Sequence, residues 1–209
     1  KSKGNIIDPI DVIDGISLKT LIAKRTENLI VPSLREKIER ATKKEFPSGI
    51  PSFGTDALRL TFASLASGSR DINFDVKRVE GYRNFCNKLW NASRFIKLQC
   101  KGYKKSKKFS DDPIDKWIRS EFNKSLESYV DHIDNSRFDL ATQVLYEFIW
   151  EKLCDWYIEF CKIRLNDQSI SNAEKAQIKN SLLDIFEKTL KLAHPMMPFI
   201  TEEIWQSFK

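Results

Sequence analysis

Glycine and proline are scarce, seven of each in 209 residues, which excludes collagen-like and low-complexity chains. Cysteine is present but unpatterned. Cys86, Cys100, Cys154 and Cys161 form no CxxC pair and no His-spaced ligand set. Neither a metal site nor a disulfide scaffold is expected, and a reducing, cytoplasmic compartment fits. There is no apolar run near the roughly 20 residues of a membrane span, and the start Lys1-Ser2-Lys3-Gly4-Asn5 lacks the apolar centre of a signal peptide. Nucleophile elbows, HExxH, Walker loops and GxGxxG are missing as well. His132 and His194 stand alone, with no Ser, Cys or acid at a spacing that implies catalysis, so both read as structural. Runs of period-2 alternation are too short for strands.

What is present is helical periodicity. With 41% apolar residues, 11% of all residues aromatic, and 31% charged, the chain can bury enough surface to offset the entropy of ordering. Residues 1–17 read as irregular. Ser17 precedes a helix carrying Leu18, Leu21 and Ile22, and Ser33 with Glu36 reads as a capping box for a second helix ending near Phe46. A Pro/Gly-rich connector, residues 46–54, closes this leader. Thr55 or Asp56 then caps a helix through Leu58, Phe62 and Leu65, with Leu58 and Phe62 expected in the core. Asp75 starts a long helix, Asp111-Asp112-Pro113 another, and further helices hold Phe138 to Phe160, about Asn172 to Ala193, and Pro198 onward. The expected fold is all-α, an antiparallel helical bundle over residues 54–209 preceded by a connecting segment, residues 1–53.

The net charge is only +6, and its distribution matters more than its sum. Residues 75–97 hold Lys77, Arg78, Arg83, Lys88, Arg94 and Lys97 against Asp75 and Glu80, a local excess of 6 − 2 = +4. On a helical wheel Arg83, Asn87, Asn91 and Arg94 share a face, with Asn84 and Lys88 beside them and Trp90 and Phe95 at the margins. Fork-shaped and amide donors suit phosphates and the edges of unpaired bases, and the rings offer stacking platforms. A basic helix face is most often simply solvated. Three Asn within eight positions, in a residue type that disfavours helix, tip the balance toward a binding face. The cluster Lys101, Lys104, Lys105, Lys107 and Lys108 is a weaker signal of the same kind.

Three segments in order resemble class I aminoacyl-tRNA synthetases. Lys1-Ser2-Lys3-Gly4-Asn5-Ile6-Ile7-Asp8-Pro9 is similar to the second half of the KMSKS signature, with Lys1 as its second lysine and Ser2 as its final serine. Gly54-Thr55-Asp56-Ala57-Leu58-Arg59 resembles the opening of the helical anticodon-binding region in the subclass that activates aliphatic amino acids. His194-Pro195-Met196-Met197-Pro198-Phe199-Ile200 through Trp205 is similar to its tail. Gly81-Tyr82-Arg83-Asn84-Phe85-Cys86-Asn87-Lys88-Leu89-Trp90-Asn91-Ala92 resembles the bacterial valyl type, with isoleucyl enzymes as the sibling alternative.

The resemblance implies a ligase that activates valine with ATP and Mg2+ and transfers it to valine tRNA, with valine and ATP bound by a domain preceding Lys1. It implies that Lys1 binds ATP and, with Ser2, closes the catalytic loop, stabilising charge on the phosphates. Arg83, Asn84, Asn87, Lys88, Trp90, Asn91, Arg94 and Phe95 then become the candidate anticodon-reading residues. On this reading the chain, which begins without Met, is a catalytically incomplete piece of a longer cytoplasmic, monomeric enzyme, and binds no cofactor by itself. Arg59 is read as a structural salt-bridge partner rather than a tRNA contact. The rival reading is a non-catalytic helical module that binds RNA or protein.

Overall fold

A computed structural model of the chain describes residues 7–27, 29, 31–68, 74–103 and 109–208. Among these residues there are helices and no strand. The leader forms α1 (Pro9–Asp14), α2 (Leu18–Thr26), a short 3-10 turn (Pro32–Leu34) and α3 (Arg35–Glu45). The bundle comprises α4 (Thr55–Leu65), α5 (Val76–Gln99), α6 (Pro113–Asp134), α7 (Phe138–Glu147), α8 (Ile158–Asn166), α9 (Asn172–Ala193) and α10 (Pro198–Ser207). A π-helix over Phe148–Tyr157 joins α7 to α8. α6 runs opposite to the continuous 138–166 helix, while α5 runs in its direction: Tyr82 and Phe85 meet Tyr146, and Phe85 meets Trp150.

Local chemistry explains most helix starts. Ser17 accepts from the Thr20 N–H (3.2 Å), Asp75 from Lys77 N–H (2.9 Å) and Asp112 from Ile114 N–H (2.8 Å), with Pro113 at the first helical position. Two expected caps do not form. At Ser33 the chain turns as 3-10 helix and α3 begins at Arg35 with no side-chain cap, because Pro32 sets a tighter turn just there. The complete capping box lies instead at Ser171 and Glu174, heading α9. At α4 the cap position is Gly54, and Asp56 is used elsewhere. The leader's first residues are also more regular than expected, since Asp8 caps α1 over Pro9.

The π-helix has a legible cause. Buried positions run Ala141, Leu145, Phe148 and Ile149, then Leu153, Cys154, Tyr157, Ile158, Cys161 and Leu165. From Leu145 to Leu165 buried residues recur every four positions (Leu145, Ile149, Leu153, Tyr157, Cys161 and Leu165), wider than the 3.6 of an α-helix. The wider turns of Phe148–Tyr157 take up part of this drift and keep the stripe on the core.

Two apolar clusters result. The larger joins α5, α6, the 138–166 helix, α9 and α10 around Phe85, Leu89, Ile118, Phe148, Tyr157 and Phe186. The smaller gathers Val12, Leu21, Phe46, Ile50 and Phe53 of the leader with Ala57 and Leu58 of α4 and Val79 of α5. The leader therefore completes its core with bundle residues. Phe62 is not in either cluster: it is 43% exposed and stacks on Phe74 at 5.7 Å, because α4 turns that side outward.

All four cysteines are free and buried. Burial pushes the thiols of Cys86, Cys154 and Cys161 up to about 12 and that of Cys100 to about 11. The thiolate is the reactive form, and its population is small wherever pH lies well below the pKa. At pH 8 the native chain is expected to leave a disulfide reagent such as DTNB unconsumed over minutes, and to react fully in guanidinium. Rapid native labelling of any of the four would contradict this packing.

Candidate nucleic-acid interface

α5 carries all eight predicted reading residues, and the bundle sorts them into two groups. Asn84, Asn87, Trp90, Asn91 and Arg94 are exposed. Their neighbours Phe85, Leu89, Ala92 and Ile96 are buried and fix the helix's rotation. This outward ridge is the amide and guanidinium face that the sequence spacing implies. Near its C-terminal end Asn91, Arg94, Phe95 and Leu98 line an open hollow of about 350 Å³. Leu98, 70% exposed, is a large apolar side chain facing solvent here. A hollow with an aromatic ring, an amide and a guanidinium offers both a stacking surface and edge donors.

The second group is engaged within the chain. Lys88 Nζ pairs with Asp155 and lies 4.0 Å from the centre of the Trp150 ring. The π-helix places both partners, since it brings Trp150 and Asp155 to the α5 side. Phe95 packs partly against the core, and Lys162 Nζ sits 5.1 Å over its ring. Arg83 is half-buried, its guanidinium 5.3 Å over the Phe53 ring and 3.4 Å from Glu80. It ties the leader to α5. The local +4, which already counts the Glu80 that answers Arg83, is reduced by one where Asp155 answers Lys88, while Arg94 and Lys97 remain on the exposed side.

The other side of α5 has the opposite character. Arg78, Tyr82, Gln143, Tyr146, Glu147 and Glu151 are among the residues lining a hollow of about 560 Å³, with Asp139 beside them. Arg137 grips Asp139 through two bonds (2.9 and 2.7 Å) and holds its carboxyl down at about 2. With Asp139 answered by Arg137 and Arg78 also in the lining, Glu147 and Glu151 leave this hollow slightly acidic, which suits a polyanion less well than the ridge does.

The two bundle motifs meet in space. Asp56, buried on α4, accepts from the N–H groups of Ile200 (2.6 Å) and Phe199 (3.4 Å) and so caps α10 from 143 residues away. Burial raises its carboxyl pKa, and these two N–H bonds oppose the rise. Arg59, one turn on, donates to the carbonyls of Pro195 (2.9 Å) and Met196 (3.2 Å). Its role is therefore structural, but through carbonyls rather than a salt bridge. His194 Nδ1 is bonded to Thr201 Oγ1 (2.8 Å), closing the same turn. These residues clamp the α9–α10 turn onto α4 and leave no group aimed at a ligand.

Lys1 and Ser2 lie outside the described residues, as do Lys104, Lys105, Lys107 and Lys108 of the lysine cluster. Among the described residues no group of three or more His, Cys, Asp or Glu could hold a metal ion, and no helix is long and apolar enough to cross a membrane. One buried cluster escaped sequence reading. Asp115, fully buried, accepts from Tyr157 OH (2.5 Å) and Arg164 Nη1 (2.8 Å), and Arg164 also reaches Asp112 (3.3 Å). In sequence Asp115 is only an acid in a first helical turn.

Residues 115–209 match the family described as the anticodon-binding domain of tRNA ligase. The bundle from α6 onward thus matches an anticodon-binding module of the tRNA ligase class, and α5 with its polar ridge precedes the matched residues. The whole chain is 52% identical over 215 residues to the valine–tRNA ligase of Psychrobacter arcticus, covering 99% of this chain and 22% of that protein. It is 53% identical over 209 residues to that of Francisella tularensis (100% and 23%) and 54% identical over 212 residues to that of Buchnera aphidicola (100% and 22%). The chain matches valine–tRNA ligases over its whole length, and spans between a fifth and a quarter of the length of these relatives.

Proposed function

We propose that this chain is the anticodon-reading part of a cytoplasmic valine–tRNA ligase, an enzyme that activates valine with ATP and Mg2+ and transfers it to valine tRNA. On this reading residues 1–53 are the end of the catalytic domain, with Lys1 and Ser2 serving its ATP-closing loop, and residues 54–209 are the anticodon-binding domain. The observation that carries the reading is the exposed ridge Asn84, Asn87, Asn91 and Arg94, turned away from the carboxylates that the 138–166 helix places beside α5. Unpaired loop bases are recognised by ring stacking and by donors to their edges, and this ridge supplies both at the hollow of Asn91, Arg94 and Phe95. Trp90 flanks it. Arg83, Lys88 and Phe95 act at its borders, where they fix the leader and the 138–166 helix against α5.

The test is binding of the chain to valine tRNA transcripts in which the middle and third anticodon bases are changed. Wild-type anticodon should be preferred, with each changed base weakening binding by roughly tenfold, the scale of a lost edge contact or stack. Arg94→Ala and Asn91→Ala should weaken binding to the wild-type transcript by a similar factor, while Lys179→Ala should not. Equal affinity for every anticodon would leave a general RNA-binding module, and no binding to tRNA at all would favour a protein-binding scaffold.

A further inference from the structure

Beyond the ridge, α5 ends at a second concavity that neither the family match nor the anticodon-reading role assigns. It has a volume of about 600 Å³ and lies where the end of α5 meets α9 and α10. Its lining includes the rings of Tyr103, Phe186, Trp205 and Phe208, with Lys97 and Lys101 at the α5 side. Both lysines are exposed, and neither belongs to an ion pair among the described residues. Glu187 at the α9 edge is paired with Lys191 (2.8 Å), whose ammonium also lies 5.4 Å over the Trp205 ring. The concavity is thus aromatic inside, cationic on one rim, and neutralised on the other.

Its position is continuous with the ridge. Lys97 stands three residues beyond Arg94, roughly 5 Å along the helix axis, and Lys101 follows one turn later. A strand whose bases meet the hollow at Asn91 and Arg94 can run its phosphates past these two lysines and arrive at the ring-lined concavity. Several hundred cubic ångströms is the range of sites that enclose small organic ligands, and aromatic linings with a basic track are how unpaired nucleotides are held without base-specific contacts.

We propose that this concavity is a second RNA subsite, taking one unstacked nucleotide adjacent to the bases read on α5, with Lys97 and Lys101 on its phosphates and Tyr103 and Trp205 offering ring faces to its base. The inference rests on the proposal that the tRNA strand passes along α5, but not on that helix reading bases. Because stacking accepts any base, the subsite adds affinity and strand direction rather than sequence choice.

The experiment is salt-dependent binding of the chain to valine tRNA, together with photo-crosslinking to the same transcript carrying 4-thiouridine at single anticodon-loop positions. Lys97→Gln combined with Lys101→Gln should reduce the log–log salt slope by about two, one per phosphate released. Tyr103→Leu should weaken binding about tenfold at fixed salt, to the same extent on wild-type and anticodon-changed transcripts. One loop position should crosslink to Tyr103 or Trp205. A crosslink pattern confined to residues 84–98, with slope and affinity unchanged in these variants, overturns the subsite even if Arg94→Ala still weakens binding. If Arg94→Ala has no effect while the lysine pair and Tyr103 do, the reading of α5 fails and the subsite stands. An unaltered slope with a folded Tyr103→Leu protein of reduced affinity would also overturn it, because the phosphate contacts would then be absent.

Discussion

Asp115→Ala is expected to cost about 3–5 kcal/mol of folding stability, the scale for removing one partner of a buried ion pair. The carboxylate is fully buried and serves two donors at once, the Tyr157 hydroxyl at 2.5 Å and Arg164 Nη1 at 2.8 Å. Truncation takes this acceptor from both. Arg164 keeps a weaker contact to Asp112 at 3.3 Å, but its charge stays largely buried at 14% side-chain exposure, and the tyrosine hydroxyl keeps only the weak sulfur partner of Cys161. Chemical denaturation should show the loss as a lower midpoint at unchanged slope. The double change Asp115→Leu with Arg164→Met should cost much less than the single truncation, since it removes the charge along with its partner. A single truncation worth under about 1 kcal/mol would mean that water reaches the site and the network contributes little.

The second large effect is expected at Gly49. Its φ is +83°, and a Cβ there would stand 2.2 Å from the Ile16 carbonyl oxygen and 2.7 Å from the Leu18 nitrogen. These are backbone atoms of the strand-like bridge between Ile16 and Ile50, closed by N–H to carbonyl bonds of 2.8 and 2.9 Å. They cannot turn aside as a side chain would. Gly49→Ala should therefore open the bridge and release the leader from the small cluster around Phe46, Ile50 and Phe53, at a cost of order 3 kcal/mol from overlap and left-handed strain together. Gly54→Ala is the comparison without overlap: φ is +81° and ψ 159°, a conformation essentially confined to glycine, but nothing lies within 4 Å of the added carbon, so backbone strain of about 1–3 kcal/mol is all it should show. Limited proteolysis should cut residues 46–54 faster in the Gly49 variant than in the Gly54 variant. Equal protection in both would mean that the leader is held by its apolar contacts alone. Arg83 on α5 rests over Phe53 of that same connector, so a freed leader alters the border of the polar ridge.

Much of the architecture was legible in residue order. Ser17, Asp75 and Asp112 cap the helices their positions announce, and α9 runs Asn172–Ala193 where periodicity placed it. Local signals suffice there because a cap and its N–H donors lie within three residues of each other. The exposed amide ridge on α5 was legible for a related reason: the rotation of a long helix is fixed by its own apolar stripe. Signals failed where a side chain had two possible partners. Ser33 and Glu36 have a capping-box spacing, yet the turn at Pro32 takes another form; Asp56 sits where it could cap its own helix, yet caps α10 instead.

The sequence by itself determined an all-α chain, the faces its helices would bury, the motifs that mark its kinship with valine–tRNA ligases, and the helix that carries the polar ridge. Only the tertiary structure decided which basic residues on that ridge stay exposed. Lys88 meets Asp155 and Trp150, and Arg83 meets Phe53, because helices distant in sequence pack side by side. It also decided that Asp115 lies at the centre of a buried network and that Asp56 and Arg59 hold the α9–α10 turn. The reason is one of range: capping and amphipathicity act within a turn or two of helix, whereas charge pairing, burial and concavity depend on which surfaces the fold brings together.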